Sequence, residues 1–188
     1  MQQIRDGLNS YIQNLENLKI NLDYDKLMEI GQIIASYVEK KSNFLYLAGI
    51  GKNSDLLHQV SKTYNSIGLK TINLDITNCK HGDFGLIHDN SLLICSSKSG
   101  NTAELIEFLQ LIRRVKKVKI ILVHSNGSAS AIKYCDLSLY IPCIKEADKF
   151  NIIPSCSLAN FNILLCLIGF FAIKDNFTLE QLNKNHPL

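Results

Sequence analysis

The sequence predicts an α/β fold: a five-stranded parallel sheet between two layers of helices, a three-layer αβα sandwich with an N-terminal helical extension. Three observations predict it. Short apolar runs recur along the chain, each the length of a buried strand. Helical patterns separate them, as parallel connections require. Two amphipathic helical patterns come first, with no strand between them.

The elements follow in order. Ile4, Leu8, Tyr11, Ile12, Leu15 and Leu18 recur at helical spacing, as do Leu27, Ile30, Ile33, Ile34, Tyr37 and Val38. Asp23 or Asp25 stands where the second helix needs a cap. These patterns fill residues 1–40. The sheet is expected within 41–188, with runs at 44–48, 71–74, 92–95, 119–123 and 137–141. Helices are expected near 54–67, 102–115, 129–134 and 157–173. No repeat, low-complexity segment or internal linker interrupts the series, so one domain is expected over 1–188.

Composition narrows the classes. A net charge of +3 with no lysine- and arginine-rich block argues against a nucleic-acid partner. The longest apolar run, Ile163 to Ile173, is too short to span a bilayer, and the first residues lack the apolar core of a signal peptide. No membrane partner is expected. Five of the six cysteines sit in or beside apolar segments, without metal-ligand spacing. Reduced, buried thiols in the cytoplasm are the expectation.

In a parallel sheet, ligands bind beyond the carboxyl ends of the strands. Ser97, Ser99, Gly100, Asn101 and Thr102 follow one apolar run and open a helix. Hydroxyls and free backbone N–H groups there suit a phosphate, which the helix dipole favours. The same residues could simply cap the helix. Gly49, Ile50, Gly51 and Lys52 follow another run, and Lys52 can point at an anion or a carbonyl oxygen. His81, Gly82 and Asp83 form a polar segment after a third. Glu104 lies in the first turn of its helix, where the dipole alone favours an acid. His186 and Pro187 stand near the end of the sequence. A lone histidine such as His81 lacks partners at ligand spacing, and no metal is expected.

Taken together, these pieces resemble the SIS (sugar isomerase) family, in its arabinose-5-phosphate isomerase branch. The resemblance rests on six motifs in order. They are Gly49 to Lys52, His81-Gly82-Asp83-Phe84-Gly85, the Ser97 to Thr102 turn, Glu104 after that turn, Lys145-Glu146-Ala147 with Pro154-Ser155-Cys156-Ser157, and His186-Pro187. Many relatives continue into a pair of CBS domains, which the 188 residues do not contain. Asn53 and Ser54 depart from the branch's usual Ser and Gly, and Cys156, Leu158 and Ala159 replace hydroxyls.

The resemblance implies the SIS fold and interconversion of ribulose 5-phosphate and arabinose 5-phosphate through an enediol, without a cofactor. It implies Lys52, His81, Glu104 and His186 as the catalytic set, with either Glu104 or a histidine as base. Gly51, Ser97, Ser99, Gly100, Asn101 and Thr102 would bind substrate, with Ser155 or Ser157 supporting the sugar. It implies a homotetramer or homodimer in which His186 serves a neighbouring subunit's site. A silent sugar-phosphate sensor and a 6-phospho-3-hexuloisomerase are the alternatives.

Overall fold

A computed structural model of the chain describes residues 1–39, 44–174 and 178–186. Helices α1 (Gln2–Asn21) and α2 (Tyr24–Glu39) lead into strand β1 (Leu45–Gly49). Then come α3 (Lys52–Ser66), β2 (Thr71–Asp75), β3 (Leu92–Ser97), α4 (Ala103–Val115), β4 (Lys119–His124) and β5 (Leu137–Tyr140). Helices α5 (Cys156–Ile173) and α6 (Leu179–Asn185) close the chain. Short 3-10 turns lie at Cys79–His81, Asp83–Leu86 and Ser130–Tyr134.

The five strands form one parallel sheet in the order β2-β1-β3-β4-β5. The central strands are buried on both faces, and their alternation divides the core. Leu45, Leu47, Leu92 and Ile94 pack with α2, α3 and α5. Tyr46, Ala48, Leu93 and Cys95 pack with α4 and the 3-10 turns. This is the sandwich that the alternating runs predict, and the two core clusters are its two interlayer spaces.

Helix α5 is apolar on every side, as a core helix must be. It begins at Cys156, seven residues ahead of the Ile163–Ile173 run, so by length and composition alone it is long enough to cross a membrane. Here more than half of it is buried inside the fold. Gly169 admits the ring of Tyr64, whose hydroxyl donates to Leu165 O at 2.6 Å.

Helix α2 takes its cap from Asp23, which accepts from Lys26 N at 2.9 Å. Helix α1 leaves most of its apolar stripe uncovered. Its buried residues are Ser10, Asn14 and Leu18, while Ile4, Leu8, Ile12 and Leu15 face outward. Asn14 explains the choice. It accepts from Ile144 N at 2.8 Å and donates to Lys145 O at 2.8 Å, so its amide holds the loop after β5.

The helix expected at 129–134 is a 3-10 turn. Its first N–H groups are taken by another segment: Ser130 N donates to Asn101 Oδ1 at 2.7 Å and Ala131 N to Gly100 O at 3.0 Å. Those tertiary bonds fix the turn more tightly than an α-helix would allow.

Candidate active site at the carboxyl edge of the sheet

The strand order reverses direction between β1 and β3. In an open parallel sheet that is where a crevice opens beyond the strand ends. The chain places Gly49 to Lys52 at the end of β1 and Ser97 to Thr102 at the end of β3, side by side.

Gly51 ends the first segment with φ 56° and caps α3 without a side chain. Lys52 is the first residue of α3 and is exposed. Asn53 accepts from Ser96 Oγ at 3.1 Å, which ties the two strand-end segments together.

The second segment is built by its own hydroxyls. Ser97 Oγ accepts from Gly100 N at 3.0 Å, and Ser99 Oγ accepts from Asn101 N at 3.1 Å. Gly100 turns with φ 61°, and a Cβ there would stand 2.3 Å from Ala129 Cβ. Thr102 is the N-cap of α4, yet no side chain caps the helix. The first N–H groups of α4 therefore remain available to an anion at its positive end. Ser99, Asn101 and Glu104 are exposed, and Thr102 is half-buried.

A clamp behind this loop escaped the sequence reading. Ser125 N donates to Lys98 O at 3.1 Å, and Asn126 Nδ2 donates to Ser99 O at 2.8 Å. His124, buried at the end of β4, donates from Nδ1 to Asn126 O at 2.8 Å. Burial pushes its pKa down, so this histidine stays neutral and serves as scaffold. A histidine ending an apolar run was the only signal in the sequence.

Glu146 was the larger omission. It carries a place in the Lys145-Glu146-Ala147 motif but was given no role. The structure buries it to 2% exposure at the N-terminus of α5. Its Oε2 accepts from Ser155 N and Cys156 N, both at 2.8 Å, and its Oε1 accepts from Ser157 Oγ at 2.6 Å. Lys98 Nζ lies 2.7 Å from Oε1. Burial raises the carboxyl pKa, but the bonds from Lys98, Ser157 and the α5 backbone outweigh it and bring it to about 2. Glu146 is thus ionised and fills the anion site at the start of α5.

This changes the expectation for Ser155 and Ser157. Ser157 is fully buried, and both residues spend their hydrogen-bonding groups on Glu146 rather than on open space. The reason is the helix end: a carboxylate of the chain itself already satisfies it.

His81 ends a 3-10 turn after β2 and is exposed, one strand away from the switch point. His186 is exposed just past α6. Asn185 beside it donates to Ser66 O at 3.1 Å, at the far end of α3 from Lys52. With a rise of 1.5 Å per residue, those ends of α3 are about 20 Å apart. The fold therefore gathers Lys52, the Ser97 to Thr102 loop and Glu104 at one edge, and holds His186 of the same chain at the other. Pro187 lies outside the described residues.

A cavity of about 550 Å³ lies between α1 and the loop after β5, with Asp6, Ser10, Lys145, Glu146 and Asn151 in its wall. Among the described residues no cluster of three His, Cys, Asp or Glu is placed to hold a metal. All six cysteines are free thiols.

No protein-family model matches the chain. In sequence it is 27% identical over 177 residues to an arabinose 5-phosphate isomerase, KdsD, of Francisella tularensis, covering 94% of this chain and 53% of that protein. The chain spans about half the length of the curated relatives it matches. Among solved structures it superimposes with a TM-score of 0.91 on a proposed sugar-phosphate isomerase from Listeria monocytogenes, at 22% identity, covering 100% of this chain and 96% of that one. A protein of Escherichia coli CFT073 in complex with arabinose 5-phosphate gives a TM-score of 0.87 at 22% identity, covering 98% of this chain and 95% of that one. At such identities the structural likeness speaks for the fold alone. The chain has the SIS fold, and the resemblance to the arabinose 5-phosphate isomerases of that family recurs along nearly all of its sequence.

Proposed function

We propose that the chain is a sugar-phosphate isomerase and that it interconverts D-ribulose 5-phosphate and D-arabinose 5-phosphate. The observation that carries the reading is the hydroxyl-rich loop at the uncapped start of α4, beside Lys52 at the sheet's switch point. A phosphate would rest on the Ser99 and Thr102 hydroxyls and the first N–H groups of α4. Ser97, Gly100 and Asn101 give the loop its shape, and Gly51 lets the neighbouring backbone approach. The relatives' names and the sugar-phosphate complex of the structural neighbour support this choice of ligand.

The reaction moves a proton between C1 and C2 and a second between O1 and O2. Glu104 stands in the first turn of α4, two residues past the phosphate loop, and is our choice of base for the carbon-bound proton. Lys52 stabilises the negative charge that grows on the sugar oxygen. His81 carries protons between oxygens or helps to open the sugar ring. The reaction needs no redox cofactor.

His186 joins this set from a neighbouring subunit, because its own chain holds it at the opposite edge of the sheet. The outward apolar stripe of α1 gives the molecule a reason to assemble, as a homodimer or homotetramer. Residues 1–188 act as one SIS domain, and the free thiols, half of them buried and none exposed, suit the cytoplasm.

The test is Glu104→Gln. Glutamine keeps the size of the side chain and cannot take a carbon-bound proton. The variant should bind ribulose 5-phosphate and lose exchange of the C1 and C2 protons with deuterated water. Exchange at the undiminished rate would move the base to another residue, with His81 first.

A further inference from the structure

The proposed chemistry leaves one ion pair at the site unused. Lys98 sits between Ser97 and Ser99, in the middle of the anion loop. Its ammonium reaches away from that loop to Glu146, 2.7 Å away. The loop does not need a lysine for its shape, which its serine hydroxyls and the 125–131 segment already hold.

Glu146 is the reason for a cation here. It is a buried, ionised carboxylate belonging to the segment that packs beside the loop. Left alone, its field would repel a phosphate arriving at the start of α4, and low-dielectric surroundings carry such a field far. The α5 N–H groups and the Ser157 hydroxyl bond to Glu146 but carry no net charge, and the thiols beside it add none. Cys143 Sγ lies 3.8 Å from Oε1, and burial pushes its thiol up to about 12, so it stays neutral. Burial raises the Cys156 thiol as well. Across the cavity, α1 presents Asp6, and the loop presents Asp148 with Lys145 and Lys149. Among the described residues, Lys98 is the cation in contact.

We propose that Lys98 is a positioning residue of the phosphate site: it acts through Glu146, shielding that carboxylate so that a dianionic ligand can settle on the adjacent loop. The proposal rests on the loop being a phosphate site.

Calorimetric titration of the full chain with inorganic phosphate and with ribulose 5-phosphate tests it in four variants. Lys98→Met should weaken both ligands at least about tenfold, as an unshielded like charge near an anion does. Glu146→Gln can keep one oxygen for the α5 N–H groups but removes the charge and the acceptor that Ser157 Oγ uses. Alone it should tighten both ligands, because Lys98 becomes an unopposed cation. The double variant Lys98→Met/Glu146→Gln should return to within about threefold of the parent, since neither charge remains. Lys98→Arg should bind like the parent. A merely structural tie would leave the double variant as weak as Lys98→Met, and that result would overturn the proposal. So would equal binding by all variants. Either outcome leaves the phosphate loop standing if the parent protein binds. A parent that binds neither ligand overturns the loop assignment and this proposal together. Should Lys98→Met fail to fold, Glu146→Gln alone decides: weaker or unchanged binding refutes the shield.

Discussion

Gly100→Ala puts the loop geometry to a quantitative test. Two separate penalties meet at this residue. Its φ of 61° lies in the left-handed region, which costs an L-residue roughly 1–2 kcal/mol. The new Cβ would also fall 2.3 Å from Ala129 Cβ, so one backbone must move. Overpacking of this kind costs roughly 1–3 kcal/mol. Together the expected loss is about 2–5 kcal/mol, or a drop in Tm of about 5–15 °C for a chain of this size. The movement should also displace the first N–H groups of α4, so phosphate affinity should fall with stability. Adding Ala129→Gly separates the two causes. It removes the clash and keeps the positive φ, so about half of the loss should return. Thermal melts followed by circular dichroism, with phosphate titrations alongside, read both quantities. The reasoning fails if Gly100→Ala melts and binds like the parent, or if Ala129→Gly restores nothing.

Other outcomes follow from the same structure. Ser99→Ala and Thr102→Val should each weaken sugar-phosphate binding by roughly 1.5–3 kcal/mol while the fold persists, measured by calorimetry; unchanged affinity in both would put the phosphate elsewhere. The depressed carboxyl of Glu146 makes stability pH-dependent. Its contribution is complete above the ordinary value of 4.5 and is lost as pH falls toward about 2. The loss should reach about 3 kcal/mol at most, and Glu146→Gln should flatten the denaturation midpoint across that window. A parent curve with the same slope as the variant would refute this. His186→Ala and Glu104→Gln should each be inactive alone, and hybrid oligomers of the two should recover part of the activity. Hybrids that stay silent would count against a shared site.

The sheet was legible in the sequence because each strand is a short apolar run with its own bounding turns. The serine loop was legible for the same local reason: its hydroxyls bond to backbone N–H groups two and three residues away. What escaped was non-local. Nothing near Ser10 and Asn14 says that they face inward; the peptide groups of Ile144 and Lys145 decide that. The apolar stripe opposite them was legible from its helical spacing, and the described residues of the chain do not cover it. Residues 129–134 have an α-helical pattern, yet their N–H groups go to Gly100 and Asn101. Glu146 gave no local signal of its role, because its partners lie about ten residues ahead at a helix end and 48 positions back at Lys98. Ser155 and Ser157 looked like ligand-binding hydroxyls, since a sequence does not reveal that a carboxylate has already claimed them.

The most direct measurement is turnover of ribulose 5-phosphate by the purified chain in deuterated water, followed by NMR. The account predicts that arabinose 5-phosphate appears with deuterium at C2, and that the reverse reaction labels C1 of ribulose 5-phosphate. Tight binding of ribulose 5-phosphate with neither product nor deuterium in the recovered sugar would contradict it and leave a binding protein in its place.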